Sequence, residues 1–353
     1  MDQQAVTPTE FTTFWTSAKE STSSSKSGRH FGHYKAITDD PTLVTLHVSN
    51  INLATTRGAP LSRWCEGVNV LLEKIAGNSN IDKLRAICLL EADFNWWLKI
   101  IFARRMMSHM AATNTLPPEQ GATKGKTPLD TALLKRLFFD QSNILHEDSS
   151  SSSTDAEYCY DAVNHAACSI ALQAVGVPIN MVKCYLTSVQ WMQYFLQTGF
   201  GLSAHSYGGS PESICMGLTQ GSGASPGAWS ATSTVIVGAY KRQGYGATLH
   251  AGWSGNDVNL AALLYVDDTD LLHSSATRGL PLSDLVARVQ HAINCWANLL
   301  QATGGSLKSN KCYWYLLSYK FVNGIAIPRH KTKLTVQEVT IPQPTTQPLP
   351  IQL

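Results

Sequence analysis

The sequence has no Cys-x-x-Cys pair, no long apolar run and few charges. Its eight cysteines (Cys65, Cys88, Cys159, Cys168, Cys184, Cys215, Cys295 and Cys312) are irregularly spaced. That pattern argues against a zinc site or a disulfide framework and for a reducing compartment. The opening MDQQAVTPTEF carries no apolar stretch of the signal-peptide kind, and no run of about 18 apolar residues is long enough to span a bilayer. A soluble intracellular protein, in cytoplasm or nucleus, is therefore the expectation, with no membrane partner. Charged residues make up only 15% and apolar residues 44% of the 353, so most of the chain should fold. That length suffices for one large domain or two ordinary ones. The net charge of +2 neither demands nor excludes a nucleic-acid partner. Local charge says more: Lys308, Lys311, Lys320, Arg329, Lys331 and Lys333 fall in a stretch without an acid. It reads either as a surface along a phosphate backbone or as a solvated basic face.

Residues 1–26 are polar and rich in Ser and Thr, which predicts a flexible lead-in. The Ser149–Ser153 run predicts a loop just before a strand, and the Pro/Gln/Thr-rich end, 329–353, a mobile tail. Between these, DKLRAICLLEADFNWWLKIIFARRMMSHM predicts a short strand and then a long helix. Helices are also expected in LDTALLKRLFFDQSNIL, in AVNHAACSIALQAVG before Gly176 and Pro178, and in DLVARVQHAINCWANLLQATGG. AALLYVDDTDLLH predicts strand, tight turn, strand. Helices and short strands that do not strictly alternate favour an α+β fold.

Three constellations carry chemistry. Asp267 and Asp268 follow Tyr265-Val266 at the predicted hairpin tip. Two adjacent carboxylates there are costly unless neutralised, and Mg²⁺ or Mn²⁺ does this with carboxylate, water and phosphate oxygens. Asp155 stands near the end of the strand predicted after the serine run, whereas Asp161 lies where an acid favours the start of the next helix. Gly217-Leu-Thr-Gln220-Gly221-Ser222-Gly-Ala-Ser225-Pro226 lets a backbone approach a ligand closely and then starts a helix.

In this order the segments resemble the motifs of reverse transcriptases, over residues 27 to about 325. YVDD at 265–268 looks like the catalytic hairpin, and the Asp155–Asp161 segment like the first acidic motif. GLTQGSGASP at 217–226 is similar to the family's G-x-x-Q-G-x-x-x-S-P, and GGSLKSNKC at 304–312 to the Gly/Asn/Lys element after the hairpin. Upstream, SGRHFGHYK at 27–35, the strand of Arg85 and PEQGATKGKTPLD at 118–130 resemble fingers motifs of non-LTR retrotransposon enzymes.

The resemblance implies a right-hand polymerase fold. A fingers-like region spans 27–148 and a palm region 149–328, with fingers elements interleaved, an antiparallel palm sheet backed by helices, and a reduced or absent thumb. It implies Asp155, Asp267 and Asp268 as catalytic ligands of two Mg²⁺ or Mn²⁺ ions, with an RNA template, a DNA primer and dNTPs as partners. Tyr160 matches the aromatic that excludes a 2′-OH, and Lys74 and Arg85 match cations over the triphosphate. Gln220 and Gly221 would line nucleotide and template, and Lys311 would lie near the pyrophosphate. Gly221, Ser222, Lys308 and Lys320 would touch nucleic acid. Ala162 departs from the pattern, since many relatives carry a basic residue there. The pattern also fades after about residue 325, which leaves a catalytically inactive remnant of such an element as the alternative.

Overall fold

Local sequence signals set most helix ends. A computed structural model of the protein describes residues 5–157, 159–250, 255–275, 281–330, 338–342 and 349–350. The helices among them are α1 (Pro8–Thr16), α2 (Phe31–Ile37), α3 (Pro41–Arg57), α4 (Ala92–Leu98), α5 (Met107–Ala112), α6 (Pro128–Leu145), α7 (His165–Ala174), α8 (Ile179–Gln190), α9 (Ser225–Arg242) and α10 (Leu282–Ala302). Proline begins α1, α3 and α6, where its fixed φ suits the first turn, and Thr7, Asp40 and Asn164 cap α1, α3 and α7. The strand and long helix predicted over DKLRAICLLEADFNWWLKIIFARRMMSHM form as expected. The helix, however, is π-helical between α4 and α5, over Lys99–Met106.

The chain divides into two compact units, 1–113 with 160–231, and 114–159 with 232–353. The first holds a sheet of β1 (Glu66–Glu73), β2 (Leu84–Leu90), β4 (Gln193–Thr198), β5 (Gly201–Leu202) and β6 (Tyr207–Gly208). In it β1 pairs antiparallel with β2 and parallel with β4. Its core is aromatic: Trp64, Phe94 and Trp97 stack with centroids 5.0 to 6.1 Å apart. A buried ionic network lies beside them, in which Asp93 accepts from Arg63 and from Trp64 Nε1 and meets His47 Nε2 at 3.2 Å.

The second unit is built on an antiparallel sheet. Its central strand β3 (Ser149–Glu157) lies between β10 (Asp268–Ser274) on one side and β11 (Ser306–Leu307) with β12 (Tyr313–Leu317) on the other. Beyond β10 lies β9 (Ala262–Tyr265). Helix α10 packs on β3, β10 and β11 through an apolar stripe that includes Val289, Ile293, Trp296 and Leu300. On α6, Phe138 packs with Leu263, Leu272, Ala247 and Leu260. The short pairs β7 (Ala247–Leu249) with β8 (Val258–Leu260), and β13 (Tyr319–Val322) with β14 (Ile325–Pro328), complete the unit with β15 (Thr340–Ile341) and β16 (Leu349–Pro350). Helices that do not alternate strictly with strands, and sheets paired mostly antiparallel, make this an α+β fold.

Three expectations are corrected. The lead-in predicted to be flexible carries α1, whose Phe11 and Trp15 are fully buried. Trp15 stacks on Tyr34 at 4.6 Å, and a Thr7/Glu10 capping box closes the helix. Composition hid two aromatics at helical spacing. The serine run is the first half of β3, buried from Ser149 to Ser152. The tail is partly folded: Val339 and Ile341 are fully buried, and Thr340 N donates to Gln290 Oε1 of α10 at 2.7 Å. Lys331 and Lys333 lie outside the described residues. Residues 119–121 are tied to β9, since Leu264 N donates to Glu119 O (2.9 Å) and Gly121 N to Leu264 O (2.7 Å).

Candidate active site

In the second unit, strand register brings the acids together. β3 and β10 pair so that Asp155 stands directly opposite Asp268, and Asp268 in turn faces Tyr265 across the hairpin. Directly opposed residues of an antiparallel pair have Cα atoms about 4.5–5.5 Å apart. The turn between holds Val266 at φ 61° and then Asp267. A β-branched residue at positive φ is strained, the kind of local cost found where a turn must present particular side chains. Partial burial, then the neighbouring carboxylates of Asp267, Asp155 and Asp270, raises the pKa of Asp268 above the usual aspartate range, while Lys311 opposes this.

Lys311 Nζ lies 2.8 Å from Asp155 Oδ2, and that bond and the other two acids raise the lysine's pKa. The placement follows from the backbone: Lys308 N donates to Asp155 O at 3.0 Å, and one turn of 3₁₀ helix, Ser309–Lys311, returns the chain toward the acids. Lys308 Nζ reaches Glu157 Oε1 at 3.7 Å. Lys320 is exposed on β13. Three carboxylates, two on paired strands and one in the turn between β9 and β10, form an all-oxygen, hard donor set of the kind divalent Mg²⁺ or Mn²⁺ takes. As it stands, no three His, Cys, Asp or Glu side chains among the described residues are arranged to enclose a metal; Asp155 is held by Lys311 instead.

Lys74, Arg85, Tyr160, Gln220, Gly221 and Ser222 belong to the first unit. The register sets Arg85 opposite Leu72, so Lys74 and Arg85, both exposed, project from one face of the β1–β2 pair. The Gln-Gly loop is seated on the turn of residues 160–163. Leu218 N donates to Tyr160 O at 2.7 Å, Gly217 N to Val163 O at 3.2 Å, and Gln220 Nε2 to Asp161 Oδ2 at 3.4 Å. Glycine is required at two of these positions. A Cβ on Gly217 (φ 81°) would lie 2.5 Å from Asp161 O, and one on Gly221 (φ 104°) would collide with the carbonyl of Cys88. Asp161 is not in a helix N-terminus as expected: Asn164 caps α7, and Asp161 precedes that cap and faces Gln220.

Two residues that sequence reasoning passed over hold this loop. Asn95 Oδ1 accepts from Gly223 N at 2.6 Å and its Nδ2 donates to Gly221 O at 3.3 Å. The buried His165 bonds through Nε2 to Gly217 O at 2.6 Å. His165 lies four residues past Asp161, inside the predicted helix AVNHAACSIALQAVG, and was available as a signal. Nothing in the sequence singles out Asn95.

The family profile described as reverse transcriptase (RNA-dependent DNA polymerase) matches residues 77–341. The chain belongs to the reverse transcriptase family, and its fold is the right-hand polymerase fold. Among solved structures, telomerase from Candida tropicalis in complex with a TWJ fragment of telomeric RNA is similar at TM-score 0.50 and 11% identity, over 82% of this chain and 47% of that one. Apo telomerase from the same organism, truncated from the C-terminal domain, is similar at TM-score 0.46 and 14% identity, over 75% and 52%. The chain thus spans about half the length of these two structures. No curated protein matches it. No helix among the described residues is long and apolar enough to cross a membrane.

Proposed function

We propose that this chain is the catalytic core of a retrotransposon reverse transcriptase of non-LTR type, adding dNTPs to a primer 3′-OH on an RNA template. The observation that carries this reading is the in-register apposition of Asp155 and Asp268, with Asp267 beside them. Two divalent ions, Mg²⁺ or Mn²⁺, held by these acids would activate the 3′-OH and neutralise the triphosphate and leaving pyrophosphate. The protein's own part is positioning and charge. Lys74 and Arg85 are assigned to the triphosphate, Arg85 through its planar fork. Tyr160 is assigned to the sugar, Gln220 and Gly221 to nucleotide and template, and Lys311 to the pyrophosphate. Ser222, Lys308 and Lys320 are assigned to the nucleic-acid backbone. The reading places the protein inside the cell, in cytoplasm or nucleus.

One observation favours the rival reading of an inactive remnant: the strand that carries Asp155 buries four serine hydroxyls that meet no protein partner. The intact acid set favours activity. Primer extension from oligo(dT) with Mg²⁺ or Mn²⁺ tests the choice. The polymerase reading expects dTTP incorporation on poly(rA) as well as on poly(dA). Binding of both duplexes without extension on either would establish the remnant.

A further inference from the structure

His165 has no role in the reading above, yet its surroundings are specific. It is the first residue of α7, only 4% exposed, and Nε2 lies 2.6 Å from Gly217 O. A carbonyl oxygen only accepts, so Nε2 must carry the proton. Burial lowers the pKa of His165 below the usual histidine range, which keeps the ring neutral with a single N–H, and that N–H is spent on this bond. Nδ1 is buried without a protein partner. The ring therefore makes one polar contact through its donor, to the first residue of the Gln-Gly loop.

That contact closes a small frame. Gly217 N donates to Val163 O and Leu218 N to Tyr160 O, so the start of the loop is bonded to both ends of the turn that bears Tyr160. The close approach of Gly217 to Asp161 O, possible only without a Cβ, leaves no slack in the frame. The two backbone bonds run from loop to turn. His165 supplies the third, from the helix that follows the turn, and so ties loop, turn and helix together. Moving the loop by the length of one hydrogen bond would carry the Tyr160 backbone with it.

We propose that His165 is a positioning residue for sugar selection, holding the Gln220–Gly221 loop and the Tyr160 turn in fixed mutual register. The consequence for sugar choice rests on the polymerase reading; the positioning itself does not. Its chemistry is a neutral donor at one point, which glutamine can reproduce and methionine cannot.

The test uses the full chain as wild type, His165→Met and His165→Gln. Hydrogen exchange at the Gly217 and Leu218 amides reports the frame directly, and the ratio of rNTP to dNTP incorporation on one primer–template reports its consequence. In His165→Met both amides are expected to exchange about tenfold faster, the effect of losing one hydrogen bond to a buried carbonyl, and the rNTP share to rise. His165→Gln should restore both, which also shows that the methionine result is not a general failure to fold. Exchange in His165→Met equal to wild type would overturn the positioning role, whether or not the chain makes DNA. Faster exchange with an unchanged sugar ratio would overturn its link to selection. A wild-type chain without DNA synthesis would remove the polymerase reading and leave the exchange result to decide the positioning role alone.

Discussion

A carboxylate facing another across two antiparallel strands is hard to keep ionised. Asp268 stands opposite Asp155 with Asp267 next to it, and its pKa is raised. A raised carboxylate pKa means that the folded state binds the proton more readily than the unfolded chain does. Stability therefore falls as pH rises from the ordinary aspartate range through the raised value, and the ionised cluster opposes folding at neutral pH. Among the described residues, Lys311 is the cation bonded to these acids, and it is bonded to Asp155. Asp268→Asn should thus unfold at a higher temperature than wild type at pH 7, the behaviour of a site selected for activity over stability. A lower melting temperature would show that Asp268 is a structural acid.

At the scale of elements, β3 departs most from what its residues suggest. Ser149 to Ser152 are buried on both faces of the central strand, and their hydroxyls have no protein partner. Such groups cost on the order of 1–3 kcal/mol each when left unsatisfied. Ser151→Ala should therefore raise stability in urea unfolding by about 1 kcal/mol, and a loss of that size would show that the hydroxyl is bonded in solution. Serine's polarity is also why this strand read as a loop: its position is set by pairing with β10 and β12, which a local reading does not see. The hairpin around Asp267 was legible because apolar runs flank it. Helices α6, α7 and α10 were legible from apolar periodicity and from stops such as Gly176 and Gly304. Helix α1 was not, since Phe11 and Trp15 are diluted among threonines, and the contacts of Asn95 span 126 and 128 residues of chain.

For the whole molecule, each unit contains a buried histidine. His165 belongs to the first and has a lowered pKa; His273 belongs to the second, where burial above all, with a smaller contribution from Arg288, pushes its pKa down to about 3. Here the sign is opposite to that at Asp268. Below about pH 6.5 the unfolded chain takes up protons that the folded chain refuses. Full stability is kept above that pH and is lost as pH falls toward the folded value, by up to about 1.4 kcal/mol per pH unit for each such group. Acid titration followed by circular dichroism should show unfolding between about pH 6 and 4, and His273→Leu should reduce the slope. An unchanged slope would mean that other groups govern acid unfolding.

The proposed polymerase reading makes synthesis depend on the acids that the second unit assembles. The most direct test is single-nucleotide incorporation on oligo(dT)·poly(rA) by wild type, Asp155→Asn and Asp267→Asn, with duplex affinity measured in parallel. Wild type should extend the primer. Each variant should bind the duplex as wild type does but lose more activity than the roughly 10–100-fold that follows removal of a mere supporting group from a metal site. Extension by either variant at the wild-type rate would contradict the assignment of these carboxylates as the catalytic centre.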